Sequence, residues 1–216
     1  MVKIKICGIK RLEDIEIVNK YNPDYIGFVF ADSKRKISHD LAKRLKDNLN
    51  SNILSVGVFV NSSKDEILGL FNEGIIEIAQ LHGNESEEYI IDIKERTNYE
   101  LKIINAIEMS QDIDLLKYDK SLADYLLLDS GKGSGKTFDW QLIRNDLKKN
   151  FFLAGGLNIQ NVREAIHECN PYAIDLSSGL ETDGFKDEMK IKEIMEVINW
   201  VKEDMENMVG STYLKH

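Results

Sequence analysis

The chain has few of the residues from which disulfide, metal or membrane structures are built. Its 216 residues include two cysteines, two prolines and four histidines. Cys7 and Cys169 lie far apart and form no Cys-x-x-Cys pair, so neither a redox motif nor a zinc ribbon is indicated. The histidines show no paired metal-ligand spacing, so we infer no metal. No apolar run approaches the roughly 18 residues that span a bilayer and no leader-like segment opens the chain, so we expect a cytoplasmic protein without a membrane partner.

Charge and linker composition narrow the class further. The 28 basic and 37 acidic residues give a net charge of −9, which argues against a nucleic-acid partner. Because no Pro/Ser/Gly linker divides the chain, we expect one domain at residues 1–205 and a tail at 206–216. The sequence leaves a homodimer and a monomer open.

Apolar runs alternate with helical patterns along the chain. Eight strands are predicted, at residues 3–7, 25–30, 54–60, 75–81, 101–106, 125–128, 151–154 and 172–176. Helical patterns follow them, including helices with Ser38 and Ser63 near their starts, one at 140–148 and a last one at 186–205. Eight such units in about 200 residues favour an α/β fold with a single closed (β/α)8 TIM barrel, and an open doubly wound sheet is the alternative.

Polar and small residues follow most of these strands. In a barrel they would meet at one face, where the active sites of this fold lie. The candidates are Cys7, Asp32 with Arg35, Asn61, Gln80 with His82, Asn105, Asp129, Gly155-Gly156 and Ser177-Ser178-Gly179. The small residues after strands seven and eight are where phosphosugar barrels bind phosphate through backbone amides.

Cys7 and Asp129 are the candidates for proton transfer. They follow strands one and six, so both would face the barrel mouth, where a thiol and a carboxyl suit general acid–base chemistry on one substrate. A nearby positive charge would help form the thiolate. His82 and Gln80 are candidates for orienting the substrate.

The glycine loop after Asp129 permits a second interpretation. Gly135, Lys136 and Thr137 match the end of a P-loop, but the motif requires glycine at position 130, which is Ser130. A nucleotide-binding protein is therefore a weaker alternative. A related phosphosugar epimerase and a catalytically silent phosphate-binding barrel are two others.

Motifs along nearly the whole chain resemble those of the phosphoribosylanthranilate isomerases of tryptophan biosynthesis. The similar segments are Lys5-Ile6-Cys7-Gly8-Ile9, Gly27-Phe28-Val29-Phe30, Val56-Gly57-Val58-Phe59-Val60-Asn61, Gln80-Leu81-His82-Gly83-Asn84-Glu85, Leu127-Leu128-Asp129-Ser130 with Gly133-Ser134-Gly135 and Phe138-Asp139-Trp140, Leu153-Ala154-Gly155-Gly156-Leu157, and Asp175-Leu176-Ser177-Ser178-Gly179-Leu180-Glu181. In this order the motifs are highly specific.

The resemblance implies a (β/α)8 barrel that performs an Amadori rearrangement of N-(5-phosphoribosyl)anthranilate, a small-molecule substrate, without a cofactor. It implies Asp129 as the general acid and Cys7 as the general base. Arg35 would hold the anthranilate carboxylate and Asp175 would reach the sugar hydroxyls. The phosphate would be bound at Gly155, Gly156, Ser178 and Gly179, with Gly133 and Gly135 of the glycine loop covering it.

Two positions depart from the family pattern. Many members have Ser-Pro-Arg where this chain has Ser33-Lys34-Arg35, so the loop is expected to be less rigid while the arginine is kept. The glycine loop also carries Lys132 and Lys136.

Overall fold

A computed structural model of the chain contains a closed barrel of eight parallel strands, which confirms the predicted fold. The structure describes residues 1–131, 137–143 and 146–213. The strands are β1 (Lys3–Cys7), β2 (Tyr25–Val29), β3 (Leu54–Phe59), β4 (Ile78–Leu81), β5 (Lys102–Glu108), β6 (Tyr125–Asp129), β7 (Phe151–Leu153) and β8 (Ala173–Leu176). They lie in sequence order, and β8 pairs with β1 to close the barrel.

Helices pack around the outside of the barrel. Those described are α1 (Leu12–Tyr21), α2 (His39–Lys46), α3 (Lys64–Asn72), α4 (Glu87–Arg96), α5 (Leu115–Asp119), α6 (Val162–Cys169) and α7 (Glu188–Tyr213). The hydroxyl oxygens of Ser38 and Ser63 accept hydrogen bonds from the amides of Leu41 and Glu66, so both serines are N-caps of their helices. Within the described residues, no helix is long and apolar enough to cross a membrane.

The segment after β6 differs from its prediction. Instead of a helix at 140–148, the described part has one 3-10 turn at Trp140–Leu142. The backbone of Ile143 is extended, with φ −75° and ψ 118°, and this ends the turn. Leu142 and Ile143 then pack against the apolar cluster around Leu126 and Leu128. Burial of these side chains thus overrides the helical pattern.

The end of the chain differs as well. Helix α7 continues to Tyr213, so the segment expected to be a tail from residue 206 is helical over most of its length. No proline interrupts this stretch. Lys186, expected to open the helix, instead lies in a strand of a short hairpin.

This hairpin consists of β9 (Glu181–Thr182) and β10 (Phe185–Lys186), which pair antiparallel. The residues at its turn, Asp183 and Gly184, have positive φ values of 52° and 78°. An Asp-Gly pair favours such a two-residue turn because both residues tolerate positive φ. The hairpin follows β8 after a 3-10 turn at Ser178–Leu180 and stands at the mouth of the barrel, beside the site described below.

The barrel interior is filled in layers. Along β1 the alternate residues Lys3, Lys5 and Cys7 share the inner face, because side chains alternate across a strand. At the amino-terminal end an aromatic group fills the barrel, with Tyr25, Tyr125, Phe152 and Tyr172 in mutual ring contact. The polar side chains therefore collect at the opposite end.

Candidate active site

A cavity of about 700 Å³ opens at the carboxyl-terminal ends of the strands. This volume suits a phosphorylated small molecule. It brings together eleven of the residues predicted from the sequence: Cys7, Arg35, Asn61, Gln80, His82, Asp129, Gly155, Gly156, Asp175, Ser177 and Ser178. Gly179 lies beside the cavity, packed against Leu157. Gly133 and Gly135 lie outside the described residues, so their predicted role stays a prediction.

Cys7 ends β1 and is buried, with 8% of its surface exposed. Its thiol occupies space that Gly27 on β2 leaves open, because a Cβ at Gly27 would lie 2.6 Å from the sulfur. Its carbonyl accepts a hydrogen bond of 3.2 Å from the hydroxyl of Ser177. Neighbours from β2 and β8 thereby fix the thiol at the cavity wall.

Burial raises the pKa of the Cys7 thiol above its ordinary value. The cations of Lys5 and Lys186 oppose this rise, and the Asp175 carboxylate adds to it. The free protein thus holds Cys7 as a thiol, with two ammonium groups near enough to stabilise a thiolate once it forms.

A buried ion pair lies beneath the thiol. The ammonium of Lys5 is fully buried and lies 3.0 Å from Oδ2 of Asp175. Burial lowers the pKa of Lys5, but Asp175 and Cys7 more than offset this, so the net pKa is raised. The other carboxylate oxygen of Asp175, Oδ1, is buried without a hydrogen-bond partner among the described residues, and Oε1 of Gln80 is in the same state. Because buried acceptors are rarely left unpaired, these two atoms are candidates to accept hydrogen bonds from a ligand in the cavity.

Asp129 ends β6 and lines the cavity, and both of its carboxylate oxygens have partners within the protein. Oδ1 accepts a hydrogen bond of 3.3 Å from the amide of Gly131, and Oδ2 lies 3.4 Å from Nε2 of His82. Burial raises the pKa of this carboxyl, but His82 and the amides of Gly131 and Ser130 lower it more, so the net pKa is below its usual value. Asp129 is therefore a carboxylate in the free protein at neutral pH.

The turn after β7 has the geometry expected of an anion site. Gly155 has a φ of +85°, and a Cβ there would lie 2.6 Å from the amide nitrogen of Ser130 and 2.8 Å from Oδ1 of Asp129. The amides of Gly155, Gly156 and Ser178 donate no hydrogen bond to any described residue. These free donors at the ends of β7 and β8 can be directed at a phosphate.

Arg35 lies in the loop after β2 and is held by the hairpin. Its Nε and Nη2 atoms donate to the two carboxylate oxygens of Glu181 at 2.7 and 2.8 Å. Burial raises the pKa of Glu181, but Arg35 and Lys186 together lower it more, so the net pKa is about 2. One edge of the guanidinium is thus occupied within the protein.

Three other strand-end candidates have different positions. Asp32 is exposed and lies outside the main cavity, in a separate depression near His39. Asn105 does not line the cavity either, because β5 continues to Glu108 and so places Glu108 at the strand end. Asn61 does line it, and its side-chain oxygen accepts a hydrogen bond from the amide of Asn84.

Comparisons with known proteins agree with this geometry. The family model described as N-(5'-phosphoribosyl)anthranilate (PRA) isomerase matches residues 4–197. This chain belongs to that family. It is an enzyme, an isomerase of tryptophan biosynthesis, and the resemblance noted in the sequence is confirmed.

Individual relatives of the isomerase family match over nearly their full length. The N-(5'-phosphoribosyl)anthranilate isomerase of Clostridium acetobutylicum is 45% identical over 203 residues, which cover 90% of this chain and 97% of that protein. A crystal structure of a phosphoribosylanthranilate isomerase in complex with reduced 1-(o-carboxyphenylamino)-1-deoxyribulose 5-phosphate is 38% identical, with a TM-score of 0.79 over 91% of this chain and 97% of that one. A structure of monomers generated from the dimeric Thermotoga maritima isomerase is 39% identical, with a TM-score of 0.80 over 91% and 98% of the two chains.

The nucleotide-binding alternative lacks a structural basis in the described residues. A P-loop leads from a strand into the N-terminus of a helix, which binds the phosphates. The described residues that follow the glycine loop form only the 3-10 turn at Trp140–Leu142. Among the described residues, no group of three or more His, Cys, Asp or Glu side chains could hold a metal ion.

Sequence reasoning missed three charged residues of the site. Lys5 was detectable from the alternation of lysine and isoleucine in β1, which places it on the same face as Cys7. Glu181 and Lys186 depend on the hairpin, for which Asp183-Gly184 is the signal. Together these residues supply the buried charges around the thiol and Arg35.

Proposed function

We propose that this isomerase converts N-(5-phosphoribosyl)anthranilate into 1-(2-carboxyphenylamino)-1-deoxyribulose 5-phosphate, with Asp129 as general acid and Cys7 as general base. The observation that carries the assignment is that a buried thiol and a partly buried carboxylate line one cavity with a turn of free amides beside them. Members of the family carry this activity in their names, and one related structure holds the reduced product.

The lining residues divide into two binding regions. The amides of Gly155, Gly156 and Ser178, with Gly179 behind them, suit the phosphate, and the Arg35 guanidinium suits the anthranilate carboxylate. The unpaired acceptor atoms of Asp175 and Gln80 lie where sugar hydroxyls would donate to them. The sugar would then lie with its reacting carbons between Cys7 and Asp129.

The first chemical step opens the furanose ring. Protonated Asp129 gives its proton to the ring oxygen, the C1–O bond breaks, and the lone pair of the anthranilate nitrogen forms a protonated Schiff base with C1. His82 lies 3.4 Å from Asp129 and would stabilise the resulting carboxylate.

The second step moves a proton from carbon. The Cys7 thiolate takes the proton on C2, and the two electrons of that C–H bond form the C1=C2 bond of an enolamine. The enolamine then loses the proton of its C2 hydroxyl and gains one at C1, which yields the ketone. Lys5 and Lys186 would stabilise the thiolate that this step requires.

The two groups share one proton, and their resting states are the reverse of the reactive ones. In the free protein the proton is on Cys7, whose pKa is raised, while Asp129, whose pKa is lowered, is ionised. The reactive form has the same total charge with the proton on Asp129. The fraction of protein in the reactive form is therefore small and constant between the two pKa values. Activity should be constant over that pH range and should decrease at pH values below the pKa of Asp129 and above the pKa of Cys7.

The test is a fluorescence assay in which loss of the anthranilate signal is followed with the next enzyme present to remove product. We expect turnover by the wild type and a fall of roughly 10²- to 10⁴-fold in kcat for Cys7→Ala and for Asp129→Asn. Cys169→Ala is the matched control, because Cys169 lies on α6 outside the cavity. Near-wild-type turnover in either site variant would remove that residue from the mechanism, and no turnover by the wild type would reject the function.

A further inference from the structure

The hairpin β9–β10 builds a charge cluster against Arg35. Glu181 binds Nε and Nη2 of Arg35, and the ammonium of Lys186 lies 2.9 Å from Oε1 of Glu181. The side chain of Lys186 is fully buried, and that of Glu181 is 9% exposed. Arg35 is more open, at 30%, because it borders the cavity.

The pairing leaves a defined edge of the guanidinium free. Nε and Nη2 form one side of the planar group, and Glu181 occupies that side. The end formed by Nη1 and the second N–H of Nη2 still offers two parallel donors, which match a carboxylate. Since Arg35 lines the cavity, this end is the one left for a ligand.

Arg35 has little freedom to turn away from this arrangement. Its side chain crosses Gly8, where an added Cβ would lie 2.5 Å from Cδ and 3.3 Å from Nε of Arg35. Glu181 is itself fixed, because Lys186 also donates to the carbonyl of Ser177 at 3.1 Å and Lys190 donates to the carbonyl of Glu181 at 2.6 Å. The guanidinium is therefore confined from two sides.

The charges of the cluster do not balance. Arg35 and Lys186 contribute two positive charges and Glu181 one negative charge, and no other carboxylate among the described residues contacts either cation. Burial lowers the pKa of Lys186 although Glu181 opposes this, and while Lys186 is protonated the cluster keeps a surplus of one positive charge beside the cavity. A ligand carboxylate at the free end of Arg35 would neutralise it.

We propose that Glu181 is a positioning residue that makes the enzyme selective for a carboxylate on the aryl amine of its substrate, because it orients Arg35 through the bidentate pair. This inference rests on the proposed function for the identity of the substrate. It assigns to Glu181 no contact with the substrate itself. The selectivity is a property of the Arg35–Glu181 pair and not of Arg35 alone.

The test compares two ligands that differ only in the carboxylate. They are the reduced product 1-(2-carboxyphenylamino)-1-deoxyribitol 5-phosphate and the same compound with a plain phenyl ring, and their binding is measured by titration calorimetry. We expect the wild type to prefer the carboxylated ligand by roughly 10- to 100-fold, as for a charge-assisted bidentate contact. Glu181→Gln should lose about tenfold of this preference while it binds the phenyl ligand as the wild type does. In turnover the same variant should raise KM and leave kcat nearly unchanged.

Three further variants separate positioning from folding. Thr182→Val alters the same hairpin at a residue that bonds Asp187 and not Arg35, so it should keep the preference. The double variant Glu181→Gln with Lys186→Met restores the net charge of the cluster. It replaces Glu181→Gln in the binding measurement if the single variant is unstable. The double variant Arg35→Met with Glu181→Gln should show the same preference for the carboxylated ligand as Arg35→Met alone, because Glu181 acts through Arg35.

The ligand preference of Glu181→Gln decides whether Glu181 positions Arg35. An unchanged preference in Glu181→Gln, or equal weakening for both ligands, overturns the positioning role. Because the ligand comparison measures binding, it remains informative if the wild type fails to isomerise the proposed substrate. That failure would reject the proposed function without bearing on the pairing of Glu181 with Arg35.

Discussion

Gln80 fixes the proton of His82 on the nitrogen that faces Asp129. The amide nitrogen of Gln80 lies 3.0 Å from Nδ1 of His82, and an amide nitrogen can only donate. Nδ1 is therefore the acceptor in the neutral ring, and the proton is on Nε2, which lies 3.4 Å from Oδ2 of Asp129. The imidazole thus presents an N–H to the carboxylate and favours its ionised form.

Replacement of His82 should move the acid limb of the pH–rate profile. Because His82 lowers the pKa of Asp129 while burial raises it, His82→Asn should raise that pKa. Activity is lost as the pH falls through the pKa of Asp129, since below it the pair holds two protons. The acid limb of kcat/KM should therefore shift to higher pH in the variant.

The matched control for this shift is His39→Asn. His39 lies on the surface and pairs with Glu66, away from the main cavity. Its profile should overlay that of the wild type. An acid limb for His82→Asn that stays in place or moves to lower pH would contradict the proposed coupling of His82 to Asp129.

An alanine at position 8 should impair substrate binding as well as stability. Gly8 has a φ of +88°, and a Cβ there would meet Cδ of Arg35 at 2.5 Å. The backbone conformation should cost roughly 1–2 kcal/mol of unfolding free energy. The displaced arginine should raise KM by roughly tenfold, as expected when a charge-assisted hydrogen bond is lost.

Gly74→Ala isolates the backbone part of this effect. Gly74 has a similar φ of +69°, but a Cβ there would meet nothing within 4 Å. It should lose stability in urea unfolding while KM stays at the wild-type value. If Gly8→Ala also keeps the wild-type KM, the contact between Gly8 and Arg35 does not position the guanidinium for substrate.

The fold was predictable because its signals are local and repeated. Most strands are apolar runs, β1 alternates lysine with isoleucine, and serines at positions 38 and 63 mark helix starts that the structure confirms. The prediction of a helix at 140–148 was wrong because that segment depends on tertiary contacts. Its conformation is set by the packing of Leu142 and Ile143 against side chains of the barrel strands. A helical pattern cannot encode contacts with residues far along the chain.

The strand pattern predicted those residues of the site that lie at strand ends. Cys7 and Asp129 could be placed at the barrel mouth from the strand pattern alone. The partner of Arg35 could not, because Glu181 lies 146 positions away and reaches it through a hairpin. The ionisation states of Cys7 and Asp129 could not be predicted from the sequence either, because burial and the positions of Lys5, Lys186 and His82 determine them.

Loss of the Lys5 ammonium should destabilise the protein through its partner. In Lys5→Met the carboxylate of Asp175 would stay buried without its cation, which typically costs about 3–5 kcal/mol. Urea unfolding of Lys5→Met, Asp175→Asn and the double variant forms a cycle. The double variant should recover much of the stability lost by Lys5→Met, because it removes the unpaired charge.

Recovery of stability should not bring recovery of activity. Lys5→Met lacks a cation that opposes the high pKa of Cys7, so alkylation of Cys7 by iodoacetamide should begin at higher pH in this variant than in the wild type. The shift should be smaller in the double variant, because the Asp175 carboxylate that raises the same pKa is also lost. The measurement uses a Cys169→Ala background. Full turnover by the double variant, or an unchanged pH for alkylation, would show that Lys5 serves the fold alone.

The contacts of Glu181 with Arg35 and Lys186 should together contribute stability that disappears in acid. The pKa of Glu181 is lowered from its ordinary value of 4.5 to about 2, so the folded state favours the ionised carboxylate. Its contribution is present at and above pH 4.5 and is lost as the pH falls from there to about 2. The full shift corresponds to about 3 kcal/mol, and we expect roughly 2 kcal/mol because Arg35 is partly exposed and screened.

The measurement is the difference in unfolding free energy between the wild type and Glu181→Gln across this range. The difference should be largest near neutral pH and small near pH 2, where about half of the wild-type carboxyl groups are protonated in the folded state. Asp65→Asn is the control, because Asp65 pairs with Arg96 on the surface at 83% exposure and such pairs contribute little. A difference for Glu181→Gln that does not change with pH would mean that the lost stability comes from packing of the hairpin, since packing does not titrate.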